Sequence, residues 1–152
     1  MILQVGVKAL IKNDKGQYLF LRRSERMEAE IEPHWDIPGG RIDSTERLEQ
    51  ALAREIAEET NLTLSGVPQL IAAQDILVPA KDLHVVRLTY LVSVGGGTIV
   101  ISHEHGEYHW MNRDEALASH LDPYIREVFE QKILQIPSKV AKILDKSRER
   151  VI

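Results

Sequence analysis

Between Arg47 and Thr60 the chain reads RLEQALAREIAEET, a run of strong helix formers with neither glycine nor proline. On a helical wheel at about 100° per residue, Leu48, Ala51, Leu52 and Ile56 make one apolar stripe. Glu55 and Glu59 fall within about 20° of Leu48, inside that stripe, and Glu58 lies at its edge. Acidic residues on a helix ordinarily form a solvated face, but here the pattern turns them inward. Inward carboxylates lose hydration, repel one another and, near a helix C-terminus, oppose the macrodipole. Any fold containing this helix must bring a compensating group to that end, and a divalent cation offsets all three penalties. There is no cysteine, so disulfides, thiolate zinc sites and cysteine nucleophiles are absent together. Oxygen ligands alone favour a hard ion, Mg²⁺ with Mn²⁺ as substitute. Mg²⁺ is often shared with substrate phosphates, so the helix points to phosphate chemistry.

The rest of the sequence places this helix among strands. Residues 3–12 and 17–23 flank NDKG, which suits a tight connection and predicts a first hairpin ending in Arg22 and Arg23. The polar stretch 24–33 reads as a loop leading to HWDIPGG. Strand-like runs follow at 67–78 and 83–94; GGG at 95–97 then reads as a hairpin turn before the strands TIVIS and EYHWM. Asn112 stands three residues before Glu115, a capping-box spacing, and Asp122-Pro123 opens a helix running to about Leu134. The expected class is α/β (α+β), a mixed sheet with flanking helices. One domain is expected over 1–136, with an amphipathic tail at 137–152 packed on it or at a homodimer interface.

Composition narrows the partners. A formal net charge of −4 gives no general basic footprint for a nucleic acid polymer. No apolar run approaches the length that spans a bilayer, and the alternating start reads as a strand rather than a signal peptide, so a cytoplasmic protein without membrane contact is expected. No P-loop, nucleophile-elbow serine or dinucleotide fingerprint competes for the phosphate reading.

The spacing around the acidic helix is specific. Gly40, five residues, Glu46, seven residues, Arg54-Glu55-Ile56, one residue, Glu58-Glu59, one residue and Asn61-Leu62 resembles the signature of the Nudix hydrolases. Only Asn61 departs from it, standing where the family has glycine; asparagine is the usual second choice for the left-handed conformation after a helix end. WDIPGG resembles the family's lead-in, and the layout resembles a Nudix-type sandwich with its catalytic loop and helix at about 39–62.

By that resemblance Glu55, Glu58 and Glu59 bind the Mg²⁺ ions that hold a diphosphate and acidify a water, while Arg54 pairs with Glu46 to orient the helix end. Glu46 also lies three residues after Asp43, so a capping role competes or coexists. A backbone carbonyl near Gly39 and Gly40 is implied as a metal ligand, against a simple turn. In SHEHGEYHWM, Glu104 resembles a further metal ligand or general base, with Glu107 the competitor. Alternation puts Glu104, Tyr108 and Trp110 on one face and His103, His105, Glu107 and His109 on the other, a face open to zinc or simply to solvent. Arg22 and Arg23 are candidates for phosphate or base contacts, with only one of them on the site side.

The resemblance implies Mg²⁺-dependent hydrolysis of a pyrophosphate bond in a small nucleotide. The HEHGEYHW segment and the PGG lead-in lean towards (d)NTP pyrophosphohydrolases. Dinucleoside polyphosphates, ADP-ribose and nucleotide sugars are alternatives, and the rival of another class is a nucleotide-sensing module without turnover. Loops such as 24–33 and 79–84 are expected to contact base, sugar and leaving group.

Overall fold

VGVKALI and YLFL, the two most continuous apolar stretches, become the two innermost strands. In the computed structural model, whose described residues are 1–24 and 34–131, the C-terminal half of β1 (Ile2–Ile11) and most of β2 (Tyr18–Arg23) are buried. Burial on both faces is what such runs require. Val7, Ala9, Ile11 and Leu19 face one core, and Leu10, Tyr18 and Phe20 face the other.

The two strands belong to different sheets. A four-stranded sheet has the order β4 (Gly39–Arg41), β1, β6 (Leu83–Val94), β5 (Leu64–Val78), and a three-stranded sheet has the order β3 (Trp35–Asp36), β2, β7 (His105–Met111). The first sheet is mixed, because β1 runs parallel to β6 and antiparallel to β4. The hairpin expected over 3–23 is therefore only a turn. Asn13 closes it, its Oδ1 accepting from the Lys15 and Gln17 amides, but a single bridge, Lys12 to Tyr18, joins the strands before they part. Each strand has two edges, and those of β1 are taken by β4 and β6, those of β2 by β3 and β7.

Helix α1 (Leu48–Thr60) covers one core through Ala51, Leu52 and Ile56; α2 (Arg113–Ala118) and α3 (Pro123–Glu130) cover the other through Ala116, Ile125, Val128 and Phe129. The caps follow the sequence. Asn112 accepts from the Glu115 amide at 2.8 Å, and Asp122 accepts from Tyr124 and Ile125 at 3.0 and 3.1 Å. Leu48, the reference of the wheel, is more than a third exposed at the open first turn of α1.

One further expectation is corrected. Residues 98–102 form no strand, because their amides serve the end of α1 instead: Val100 donates to the Thr60 carbonyl at 3.0 Å and Ser102 to that of Glu59 at 3.4 Å. These are carbonyls a helix leaves unsatisfied. The 79–84 connection is a tight turn tied to the chain start, where the Ile2 amide donates to Asp82 O at 2.7 Å. The loop at 25–33, residues 132–134 of the last expected helix and the tail 137–152 lie outside the described residues.

Candidate active site

The last two turns of α1 carry Glu55, Glu58 and Glu59, and the register of β1 with β4 sets what lies opposite them. Gly39 pairs with Lys8 and Gly40 with Val7, so the β4 backbone passes across the helix end. Both glycines are required by contact. A Cβ on Gly40 would sit 2.5 Å from Glu55 Oε1, and one on Gly39, at φ 154°, would collide with the Val7 carbonyl. The approach lets the Gly39 amide donate to Glu59 Oε2 at 3.0 Å. Asn61 ends the helix in the left-handed conformation, φ 63°, with its amide on Ala57 O, as glycine would.

Arg54 organises the flank. It grips Glu46 through two hydrogen bonds of 2.7 and 2.8 Å and reaches Glu55 at 2.9 Å, Glu58 at 3.3 Å and the Arg41 carbonyl at 3.2 Å. The paired guanidinium holds the Glu46 carboxyl down at about 2 and raises Arg54 further above its ordinary value. Glu46 also accepts from the Asp43 amide, but α1 begins at Leu48, so this bond shapes the preceding turn rather than the helix cap.

Glu55 and Glu59 are each only 9% exposed. Burial pushes Glu59 up to about 7, against the pull of the Gly39 amide and Lys8; burial also raises Glu55, with Arg54 opposing. The helix thus holds buried acids without a full complement of positive charge. Together with Glu58, Glu104, His103, Arg23 and the Gly39–Arg41 backbone they line a cleft of about 620 Å³. Arg23 faces this cleft. Arg22 does not: it pairs with Glu107 and lies over the Trp35 ring, its guanidinium carbon 5.2 Å from the centroid. Glu107 is thereby occupied away from the cleft, whereas Glu104 reaches it. The histidines of 103–109 separate: His103 lines the cleft, His105 lies beside Ser102, its Nδ1 3.3 Å from Oγ, and His109 packs on Trp35.

A second charged group adjoins the first. Lys8 donates to Asp36 at 2.9 Å and to the Ile37 carbonyl at 3.2 Å, and Arg87 donates to Asp122 at 2.9 Å, with His34 3.5 Å from that carboxylate. Among the described residues His34, Asp36 and Asp122 are the one trio of metal-ligand type whose atoms lie within 4.8 Å of one another. Each carboxylate already faces a cation, so the trio is a self-neutralised network and a poor metal site. Burial alone would raise Asp36, but Lys8 and Arg87 hold it below its ordinary value. Lys8 and Asp36 were not among the candidates from sequence. A lone lysine inside the apolar run VGVKALI was the available signal, since a charge there needs a partner.

A family model for the NUDIX domain matches residues 2–132. The chain belongs to the Nudix family. This Nudix domain is 31% identical to the MutT protein of Methanosarcina mazei Go1, whose crystal structure superposes with a TM-score of 0.72 over 85% of this chain and 91% of that one. It is 28% identical over 114 residues to nucleoside triphosphatase NudI of Salmonella agona, covering 70% of this chain and 79% of that protein. A Bacillus subtilis protein provisionally named an 8-oxo-dGTP diphosphatase is 40% identical over 75 residues, and the match spans 46% of its length. No helix of the described residues is long and apolar enough to cross a membrane.

The donor set of this Nudix domain fits a hard divalent ion. Glu55, Glu58 and Glu59 offer only oxygen, and the first two share a single arginine. Glu59 is buried with the Gly39 amide as its hydrogen-bond donor and stays raised despite Lys8.

Proposed function

We propose that this Nudix domain is a Mg²⁺-dependent pyrophosphohydrolase of nucleoside triphosphates, ribo- or deoxyribo-, releasing a nucleoside monophosphate and pyrophosphate. The observation that carries the reading is the buried, cation-deficient pair Glu55 and Glu59 opening on the same cleft as Glu58, Glu104 and Arg23. The relatives named as a nucleoside triphosphatase and an 8-oxo-dGTP diphosphatase support the substrate class.

Glu55, Glu58 and Glu59 are assigned to hold Mg²⁺, with Mn²⁺ as substitute, beside the Gly39–Gly40 backbone. Bound there, the ion would neutralise phosphate charge and acidify a water. Arg54, fixed by Glu46, keeps Glu55 and Glu58 aimed at the cleft rather than apart. Arg23 meets the phosphate chain, a fork suited to a planar anionic partner. The Glu104 backbone carbonyl accepts from the Ser24 amide at 3.1 Å, while its carboxylate, which has no hydrogen-bond or ion-pair partner among the described residues, faces the cleft and is assigned to take the proton of the attacking water.

The test is turnover across (d)NTPs, oxidised nucleotides, dinucleoside polyphosphates, ADP-ribose and nucleotide sugars, with and without Mg²⁺, in wild type and Glu59→Gln. Metal-dependent release of pyrophosphate from a triphosphate, lost in the variant, is expected. Tight binding without cleavage of any member would replace the enzyme by a sensor.

A further inference from the structure

Helix α1 covers only part of the larger sheet. Val7, Ala9 and Ile11 of β1 pack with α1 in one core, so the alternate residues before them, Leu3 and Val5, continue the same face. Their β6 partners are His84 and Val86, which pair in turn with Leu77 and Asp75 of β5. Leu70, opposite Tyr90, and Ala73, opposite Leu88, carry the face along β5. Cross-strand partners share a face of the sheet. Past the reach of α1 this face is open: Leu3 is 64% exposed, Leu77 59% and Leu70 52%, with Val5, Val86 and Leu88 partly buried.

Charge and area decide what covers it. Asp75 and His84 form an ion pair on the face at 2.7 Å, and the Asp75 side chain remains 74% exposed. At the rim the chain's amino terminus pairs with Asp82 at 3.3 Å. An apolar centre with a polar rim is how protein interfaces are built. This one matches itself, because under a two-fold rotation the exposed Asp75 of one protomer can meet the partner's His84 while leucine meets leucine. The three leucines, the partly buried valines and the ion pair together expose roughly 600 Å², within the roughly 600–1,000 Å² that each partner gives to a stable interface. The edge of β5 is the poorer contact, since Pro68 has no amide hydrogen to donate and register shifts at 65–69 and 70–72 break the line of the strand. We infer that this domain forms a homodimer in which the faces bearing Leu3, Leu70, Leu77 and Val86 pack on each other, sheet against sheet, about a two-fold axis.

Sedimentation equilibrium of the full chain from about 1 to 100 µM tests it. Wild type should be a dimer with a dissociation constant on the order of micromolar. Leu77→Lys and Leu3→Lys each put a charge into the contact, and a two-fold axis counts each substitution twice, so the dissociation constant should rise at least about 100-fold. Both positions are exposed in the protomer, so the variants should fold, which circular dichroism checks. Neither lines the cleft, so turnover should change by less than about 2-fold. Val67→Lys, at a side chain 81% exposed within the register shift at 65–69, should leave the dimer intact. A wild type that is monomeric at the highest concentration overturns the inference and leaves the face to residues 132–152 or to another protein. A dimer unchanged in both lysine variants also overturns it, and a dimer lost equally in Val67→Lys moves the contact to the edge of β5 and overturns it too.

Discussion

Two acidic groups largely withdrawn from water sit side by side in this domain and have been treated oppositely. Asp36 and Asp122 are matched by Lys8 and Arg87 within 2.9 Å, and Asp36 is held below its ordinary value. Glu55 and Glu59 are buried more fully than Asp36 but face too little positive charge, and both are raised. The first group closes on itself and ties β1, β3, β6 and the start of α3 together. The second is left demanding a cation, and a fold tolerates that demand where the cation comes from outside. Burial by itself does not distinguish a structural acid from a functional one; the presence of a partner does.

The contrast breaks most visibly in turnover. Glu59→Gln should lower kcat/KM by about 1,000-fold or more in a steady-state assay, since a neutral amide cannot replace an anionic ligand. Next comes the matched group. Lys8→Met should destabilise the domain by about 2 kcal/mol in urea unfolding, because the partly buried Asp36 is left without its cation. A loss below about 1 kcal/mol would mean that Asp36 and Lys8 are independent. The two groups should also respond oppositely to pH. Because Glu59 rises to about 7 on folding, its stabilising share is complete below the ordinary carboxylate range and disappears as pH rises through about 7. Without metal, the melting temperature should fall between pH 5 and pH 8 by the equivalent of about 2–3 kcal/mol, and Glu59→Gln should flatten the decline. Mg²⁺ should restore stability at pH 8 in wild type alone; a wild-type decline that ignores Mg²⁺ would separate Glu59 from the metal. The smallest effect is expected at Asn61→Gly. The left-handed conformation is already adopted, and the variant exchanges lower strain for the lost bond to the Thr98 carbonyl, so unfolding should shift by less than about 1 kcal/mol.

The sequence carried the unmatched group better than the matched one. Helix period alone put Glu55 and Glu59 on the apolar side, and three fixed spacings brought in Glu46, Arg54 and Gly40. Local rules also located the caps at Asn112 and Asp122. Lys8, Asp36 and Arg87 escaped because each is a lone charge in a strand, and their pairing depends on which strands become neighbours. The same blindness produced the hairpin at 3–23 and the strand at 98–102. Alternation says that a segment is extended but not whose hydrogen-bonding groups it will meet. Of the two arginines that end β2, alternation sent one to the site, but only the Glu107 and Trp35 contacts told that it was Arg23.

The amides of 98–102 that serve the end of α1 also make that segment a ruler. Val100 and Ser102 fix how far Glu104 stands from Glu59, because both are counted from the same helix end. Chain length is consequently permissive on one side of the ruler and restrictive on the other. An extra residue among the glycines at 95–97 is absorbed in the turn, whereas one between Ser102 and Glu104 moves that carboxylate away from the helix end to which Ser102 is tied. Variation by insertion is therefore channelled to the glycines, and the separation between two acidic groups distant in sequence is inherited as a count of residues.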